Sequence, residues 1–499
     1  MRVGGIVSGM DIEAMVNKLM EAERMPLNRM YQQQTTLEWK RDAFRDINSK
    51  LLELDNMMLD MKLSTSYKPK VATSSQESAV TATASSNASN GSYEIEVTHL
   101  ASNAINYSTK DVEADVSFEE YIGEDKSITF KTFNEDGTAK THTLKIEEGD
   151  NLSQVLKKIG EVSEGRVRAF YDENSKKVVL ETTRTGSYNT GEDYKNSNGK
   201  KPEIYFDEES SSFFENVLGL KMENETGGEN AVFTYNNGLE ITSKNNHYTL
   251  NGITFEFNNV TEGNARITVS TDVEQSFDNI MNFVEKYNEA IEVMNTSQLE
   301  KKNRDFPPLT DEQKEEMTED QIKKWEEKAK SGILRGESTI KDGMYTLRQS
   351  LQSVVETGGE YTLLSHIGIT TTKNYLDGGK LEVNEEKLKA ALRENPDDVY
   401  KLFSNSSNGN DRGLIHRFDD ALDNTRKKII EKAGNSSHAL DNYLIGKEMK
   451  QLNERVSSFE RRMIQVEQRY WNQFTQMEKA ISQLNQQSSY LFSQFGGGM

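Results

Sequence analysis

From Met30 the chain places an apolar residue at every seventh position: Met30, Leu37, Phe44, Leu51 and Met58. Ile47, Leu54 and Met61 supply a second seam three residues on. A seven-residue repeat keeps one face of an α-helix apolar over many turns, and such a face must be covered by another helix. The same register returns near the other end of the chain, through Ile445, Met449, Leu452, Val456, Phe459, Met463, Val466, Tyr470, Met477, Leu484 and Leu491. Neither stripe can bury itself. The pattern therefore predicts that the N- and C-terminal segments pack together, so that everything between them leaves from and returns to one place. For residues 44–61, where the stripe is richest, packing within a helical domain of its own satisfies the pattern equally well.

The first segment is also helical. Ser8 and Asp11 offer N-caps, and Ile12, Met15, Val16, Leu19 and Met20 recur at spacings of three and four. Pro26 is expected to end this helix and to suit the first turn of the next. Around Ser64 the period shortens from 3.6 towards two, and Tyr93, Ile95 and Val97 alternate after the turn-prone Asn90-Gly91. Residues 127–185 then read strand, strand, helix, strand, strand. Residues 186–202, GSYNTGEDYKNSNGKKP, read as a mobile loop, and further strands follow at AVFTY, LEITS, HYTL, ITFEF and ARITVST. From Asp272 the period returns to helix, with Val273, Phe277, Ile280, Phe283 or Val284, Tyr287 and Ile291 on one face. The charged stretch 299–330 carries two capping signals, Thr310 and Thr318, each followed three residues on by Gln. Later helical segments are read at Leu347–Val355, Leu388–Leu392 and Val399–Phe403, and the final helix from near Leu440.

Composition narrows the function. At 499 residues the chain is long enough for several domains, yet only 34% of it is hydrophobic. The formal charge of −21 argues against nucleic acid or an anionic membrane as partner, since both require clustered Lys and Arg. With no cysteine there is no disulfide framework, thiolate metal site or cysteine nucleophile. The N-terminus has no 7–15-residue apolar run followed by small residues, so it does not read as a cleaved secretory signal, and nothing approaches the ~18 apolar residues of a membrane span. His99, His142, His247, His366, His416 and His438 are scattered, with no two at i,i+3 or i,i+4. Asp136-Gly137 reads as a turn and not a calcium loop, Gly199-Lys200 is not a phosphate loop, and no carboxylate pair can be assigned to acid and base work. The expectation is a non-enzymatic chain with no cofactor and no metal.

The last helix changes character along its length. Before Arg469 its outer positions are charged (Lys447, Glu448, Glu454, Arg455, Glu460, Arg461); after Lys479 charge vanishes and Gln, Ser and Asn fill the gaps between apolar residues. An uncharged surface of this kind suits a helix buried against several neighbouring chains, where an unpaired charge is costly.

In their order along the chain, several stretches carry a resemblance. GIVSGMDIEAMVNKLMEAERMPL, GSYEIEVTHLA, residues 127–186, ENAVFTYNNGLEITSKNNHYTLNGITFEF, FVEKYNEAIEVMN, SGILRGESTI, HIGITT, GGKLEVNEEKLKAALRENPDDVYKLF and RYWNQFTQMEKAISQLNQQSSYLF together resemble the flagellar hook-associated protein 2 family over essentially the whole length. One departure is Asn384, where relatives often carry Asp, and it affects a turn. The resemblance implies a structural cap at the distal end of the bacterial flagellar filament, exported by the flagellar type III pathway and promoting folding and polymerisation of flagellin. It implies as partners a second copy of the chain in a ring, with a pentamer as first expectation, together with flagellin, hook-associated junction proteins and an export chaperone at the C-terminal helix. Members of the family sometimes serve in adhesion through the head. An adhesin acting through loops 102–126 and 186–230, or a flagellin-like shaft protein, are the alternatives.

The expected fold is α+β, multidomain and elongated, with terminal coiled-coil legs, a helical bundle-like layer and β-rich heads. Residues 1–42 with 440–499 are read as the leg, 43–68 with 272–439 as the helical domain, 69–117 with 230–271 as a β-rich head, and 118–229 as an inserted β/α head. Contact with flagellin or other copies is assigned to Ile12, Met15, Val16, Leu19, Met463, Val466, Tyr470, Phe474, Met477, Leu484 and Leu491.

Overall fold

The computed structural model describes residues 9–123 and 126–495, with side chains described as far as residue 492. The chain divides into two compact units: one holds the chain up to Tyr67 and again from Val273, the other Lys68–Asp272. The first begins with α1 (Ile12–Met61), a single helix of 50 residues. Asp11 caps it, its side chain accepting from the Ala14 amide at 2.9 Å, whereas Ser8 lies outside the described residues. The expected break at Pro26 does not occur, for Pro26 lies inside α1. An interior proline costs about 3 kcal/mol. Leu27 and Met30, directly beyond it, are buried against Leu452 and Val456, and side chains of that size stabilise by about 1.5–3 kcal/mol each when removed from water. Packing across the helix pair therefore outweighs the local defect.

The second unit is built from strands. β1 (Lys70–Ser74), β2 (Val80–Ala84), β3 (Gly91–His99) and β4 (Asn103–Tyr107) are followed by the hairpin β5 (Ile128–Phe133) and β6 (Ala139–Leu144). Helix α2 (Leu152–Val162) starts on a full capping box between Asn151 and Gln154 and leads to the hairpin β7 (Val167–Asp172) and β8 (Lys177–Thr185). After β9 (Tyr205–Phe206) and the short α3 (Glu208–Ser212) come β10 (Ala231–Tyr235), β11 (Leu239–Ser243), β12 (His247–Leu250), β13 (Ile253–Phe257) and β14 (Ala265–Thr271). The five stretches read as strands between 231 and 271 coincide with β10–β14. They form a sheet of order β1-β14-β3-β10-β11 and another of order β12-β13-β2, around a core that includes Ile95, Val97, Phe233 and Phe255. Two further sheets, β4-β8-β7 and β6-β5-β9, share a separate core with α2, including Phe130, Leu156 and Phe214. Strand β4 lies in a stretch read as loop; its partner β8 is far along the chain, and the Asn103 end of the pairing carries a register shift.

The stretch 186–202 also differs from its reading as a mobile loop. It is tied down by two carboxylates, Glu203 buried and Glu225 half-buried. Glu203 accepts from the Tyr188 and Asn189 amides at 2.6 and 2.9 Å, and Glu225 accepts from the Glu203 and Ile204 amides at 2.6 and 3.1 Å. Asn189 donates to the Tyr194 and Pro202 carbonyls, both at 2.8 Å. The Arg184 guanidinium stacks on one aromatic face, 3.6 Å from the Tyr188 ring centre, and the Lys244 ammonium lies 4.1 Å from the same ring. A polar sequence thus acquires a fixed conformation, because these acceptors satisfy amides that have no ladder partner.

The chain then returns to the first unit. The helices are α4 (Val273–Leu299), α5 (Asp311–Glu315), α6 (Glu319–Lys330) and α7 (Ser338–Gln352). The ribbon β15 (Ile369–Thr371) and β16 (Leu381–Val383) follows, then α8 (Glu385–Glu394), α9 (Pro396–Ser404), α10 (Leu414–Ala433) and α11 (Leu444–Phe495). Both capping boxes read in the charged stretch form, Thr310 with Gln313 and Thr318 with Gln321. Asn384 is the N-cap of α8, accepting from the Lys387 amide at 2.9 Å, a role Asp fills equally well. Helix α10 was not read from the sequence, although Leu414, Phe418, Leu422 and Ile429 recur at helical spacing and are buried. The upper stripe of α1, from Phe44 to Met61, shares one core with α4, α7 and α10. Tyr67, fully buried at the end of this segment, stacks on Phe403 at 5.1 Å and donates to the Met61 carbonyl at 2.6 Å.

Two measurements check these contacts. Tyr67→Ala should cost about 3–5 kcal/mol and Tyr67→Phe about 1 kcal/mol in denaturant unfolding followed by helix signal; a Tyr67→Phe variant as stable as the unsubstituted chain would remove the hydrogen bond from the account. Burial, reinforced by Glu203, pushes the Glu225 carboxyl up to about 8, against the amide bonds that favour its charge. A raised folded pKa means stability present below pH ~4.5 and lost as pH rises towards ~8. Glu225→Gln should therefore gain on the unsubstituted chain in thermal midpoint between pH 5 and pH 8, and parallel curves would contradict this.

Candidate functional site

The terminal helices α1 and α11 run antiparallel, with Leu27 and Met30 packed with Leu452 and Val456, and Ile12, Val16 and Met20 packed with Met463 and Val466. Phe459, Tyr470, Trp471 and Phe474 close around the second cluster. The pairing follows from the two stripes: in an antiparallel pair, residues advancing along one helix meet residues receding along the other. Polar contacts fix the register at the rim. Tyr31 donates to Glu460 at 2.6 Å and Tyr470 donates to Glu23 at 3.1 Å. The bond to Glu460 pushes the Tyr31 phenol up to about 12, so it stays protonated throughout the physiological range.

The base of the pair is anchored by charge. Glu337, at the N-cap of α7, binds Lys40 of α1 at 2.5 Å and Lys432 of α10. Burial alone would push its carboxyl up, but the two lysines hold it below the ordinary glutamate value. Arg45 donates to the carbonyls of Ala433 and Asn435 at 3.1 and 2.9 Å, satisfying backbone acceptors at the C-terminus of α10.

The assigned contact residues separate into three groups. Ile12, Val16, Met463 and Val466 are buried within the chain's own helix pair. Tyr470, Phe474 and Met477 are half-buried, the first two packed against the same cluster. Met15, Leu19, Leu484 and Leu491 face solvent. One amphipathic stripe thus supplies an internal seam and a flanking external row. Among the described residues the cluster shared by α1 and α11 extends along α11 to Phe474. From Gln483 to Phe492 every residue of α11 is exposed, including Leu484 at 63%, Leu491 at 52% and Phe492 at 78%. Phe492 was missed by the a/d register, since it sits one position off it; its exposure beside Leu491 is what brings it into the surface. No Asp, Glu, Lys or Arg occurs after Lys479. Several apolar side chains thus stand in water on an uncharged stretch of helix.

Among the described residues no group of His, Asp and Glu is arranged to hold a metal ion, and no helix is long and apolar enough to cross a membrane.

Comparison with known proteins gives a consistent result. Residues 8–104 match the family model described as Flagellar hook-associated protein 2 N-terminus, and residues 228–486 match that described as Flagellar hook-associated protein 2 C-terminus. The chain is 34% identical to the flagellar hook-associated protein 2 of Halalkalibacterium halodurans, covering 98% of this chain and 99% of that one. It is 26% identical to the protein of the same name from Escherichia coli K12, over 98% and 97% of the two chains. In structure it is similar to the D1-D2-D3 domains of the flagellar cap protein from Escherichia coli, with a TM-score of 0.58 at 20% identity, covering 82% of this chain and 99% of that one.

The two classes of residue on the helix pair are separable by experiment. Val16→Asp should open the seam at a cost of about 2–3 kcal/mol and raise amide exchange over residues 12–30 and 452–474. Met15→Asp and Leu19→Asp should leave exchange there unchanged. Equal effects of all three would mean that the seam is not where the packing places it.

Proposed function

The chain belongs to the flagellar hook-associated protein 2 family, and from that premise we propose that it caps the distal end of the bacterial flagellar filament and promotes the folding and addition of flagellin subunits there. The observation that carries the mechanism is the uncovered, uncharged end of α11. A cap on a growing filament must hold on while each new subunit enters beneath it. Apolar and amide contacts, individually weak and repeated along a helix, can be exchanged one at a time, whereas desolvated ion pairs cost several kcal/mol to break. Leu484, Leu491 and Phe492 supply the apolar part, and Gln483, Gln486 and Gln487 the amide part. The internal seam, with Val16 and Met463 at its centre, stiffens the helix pair so that this end is presented at a fixed distance from Glu337 and its lysines.

In this reading the working form is a ring of several copies at the filament tip, reached by export through the flagellar type III route. Flagellin and the hook-associated junction proteins are the partners of the helix ends. An export chaperone would cover the same uncharged stretch of α11 before assembly, because an exposed apolar helix is otherwise prone to association. Met15 and Leu19, exposed on the outer side of α1, extend the contact surface along the first helix.

The test is a set of substitutions that leave the fold intact. Leu484→Ser, Leu491→Ser and Phe492→Ser together, in the full chain, remove exposed side chains only, so thermal unfolding should be unchanged. Introduced in place of the chromosomal copy, this variant should leave the bacterium without filaments and with flagellin released into the medium. Filaments of normal length would refute the assignment of this surface.

A further inference from the structure

A second site lies away from the terminal helices, in the first unit. Helix α7, helix α4 and the β15–β16 ribbon enclose a cavity of about 290 Å³. Its walls are mainly aliphatic, from Leu351, Leu364, Ile369 and Leu381, and into this setting α7 brings Arg348, with Thr371 of β15 also on the wall. Arg348 is half-buried. Its Nε is buried with no hydrogen-bond partner, and among the described residues the guanidinium makes no ion pair. The Tyr345 ring centre lies 5.9 Å from Cζ, and the Arg348 stem packs against Gly379, where a Cβ would meet Cδ at 2.7 Å.

No carboxylate lines the cavity beside Arg348, and the polar groups around it make bonds of their own. Tyr287 lines the same cavity, but its hydroxyl donates to the Gly379 carbonyl at 3.1 Å. Thr370 donates to Glu382 at 3.3 Å, which holds that carboxylate at the ribbon's exposed side. The neighbouring cation Lys380 is taken by Glu292 at 3.0 Å. A guanidinium is always charged and carries five donors in a planar fork, so a buried Nε–H without an acceptor is a costly arrangement for a core to maintain.

We propose that this cavity is a binding site for an aliphatic carboxylate, held by Arg348 through its planar fork, with a short branched tail against Leu351, Leu364, Ile369 and Leu381. A carboxylate presents two coplanar oxygens that match the fork, forming two parallel N–H···O bonds. One guanidinium balances one negative charge, and no second cation lines the cavity, which favours a carboxylate over a phosphate dianion. The aliphatic walls select a tail of leucine-like size, and the Thr371 hydroxyl is placed to supply a further donor. The same chemistry is offered by a free branched-chain acid and by the C-terminal carboxylate of a peptide ending in leucine.

The proposal is tested by isothermal titration of the full chain with 4-methylpentanoate, 4-methylpentan-1-ol, inorganic phosphate, and the dipeptide Ala-Leu as free acid and as amide. The acid should bind with a Kd at least ~10-fold below those of the alcohol and of phosphate, since a charge-assisted bidentate pair contributes at least that ratio. Arg348→Gln should abolish the preference, and Arg348→Lys, which keeps the charge without the fork, should retain only part of it. Removing a cation that has no ion-pair partner should leave the thermal midpoint of either variant unchanged, and should one fail to fold, the other and the acid-to-alcohol ratio decide. Stronger binding of Ala-Leu acid than of 4-methylpentanoate would identify a peptide terminus as the ligand, and the reverse a small acid. Equal binding of acid and alcohol, equal binding of acid and phosphate, binding unaltered in Arg348→Gln, or no binding of either acid would overturn it.

Discussion

The antiparallel pairing of α1 with α11 is the contact on which the first unit depends. Helix α1 is 50 residues long and carries its apolar stripe from end to end, far more than any local packing could cover. Its upper half shares a core with α4, α7 and α10, and its lower half packs against α11. The chain must therefore travel through more than three hundred residues before its first helix is complete. Such a closure is favourable because the loop-entropy cost grows only with the logarithm of length, about 0.6 kcal/mol per doubling, while several buried side chains each contribute more than that.

Around this pairing, charge is used sparingly and at defined places. Glu337 draws Lys40 and Lys432 together where α1, α7 and α10 meet, and Arg45 closes the end of α10. The pairs are partly buried, so their contribution is greater than that of exposed pairs such as Lys324 with Asp320, which screening and side-chain entropy reduce to a few tenths of a kcal/mol. In the second unit the carboxylates of Glu203 and Glu225 have a different task, satisfying backbone amides in a stretch with neither ladder nor helix. Beyond Lys479 charge is gone, and the helix keeps its apolar residues exposed to solvent from Gln483 to Phe492. The contrast between a charged, anchored base and a neutral, uncovered end is the feature that ties the fold to a role in assembly.

Periodic elements were largely readable. The seven-residue repeat marked α1 and α11, alternation marked β10–β14, and the Thr-x-x-Gln spacing marked both caps at α5 and α6, since each pattern is local and reports its own geometry. The misreadings share a cause. Pro26 reads as a break because propensity is local, whereas the contacts of Leu27 and Met30 that override it come from residues more than four hundred positions away. The loop at 186–202 looked mobile because its order comes from Glu203 and Glu225, whose burial no composition reveals. Strand β4 exists through pairing with β8, and α10 was passed over between glycine-rich turns despite a regular stripe.

By itself the sequence determined that two long amphipathic helices stand at the ends of the chain, that strands fill the middle, and that the last helix loses its charge after Lys479. Those are one-dimensional properties, fixed by spacing and residue type. Only the tertiary structure decided which side of each stripe is used. Ile12 and Val16 are inside while Met15 and Leu19, on the same run, are outside, because a single partner helix covers a narrower arc than the stripe spans. Likewise Val466 is buried and Leu484 is not, because Val466 packs with Ile12, Val16 and Met20 of α1 whereas Leu484 lies on the solvent-exposed part of α11. Register and relative helix length belong to the pair and not to either sequence segment, and they set which residues remain for partners.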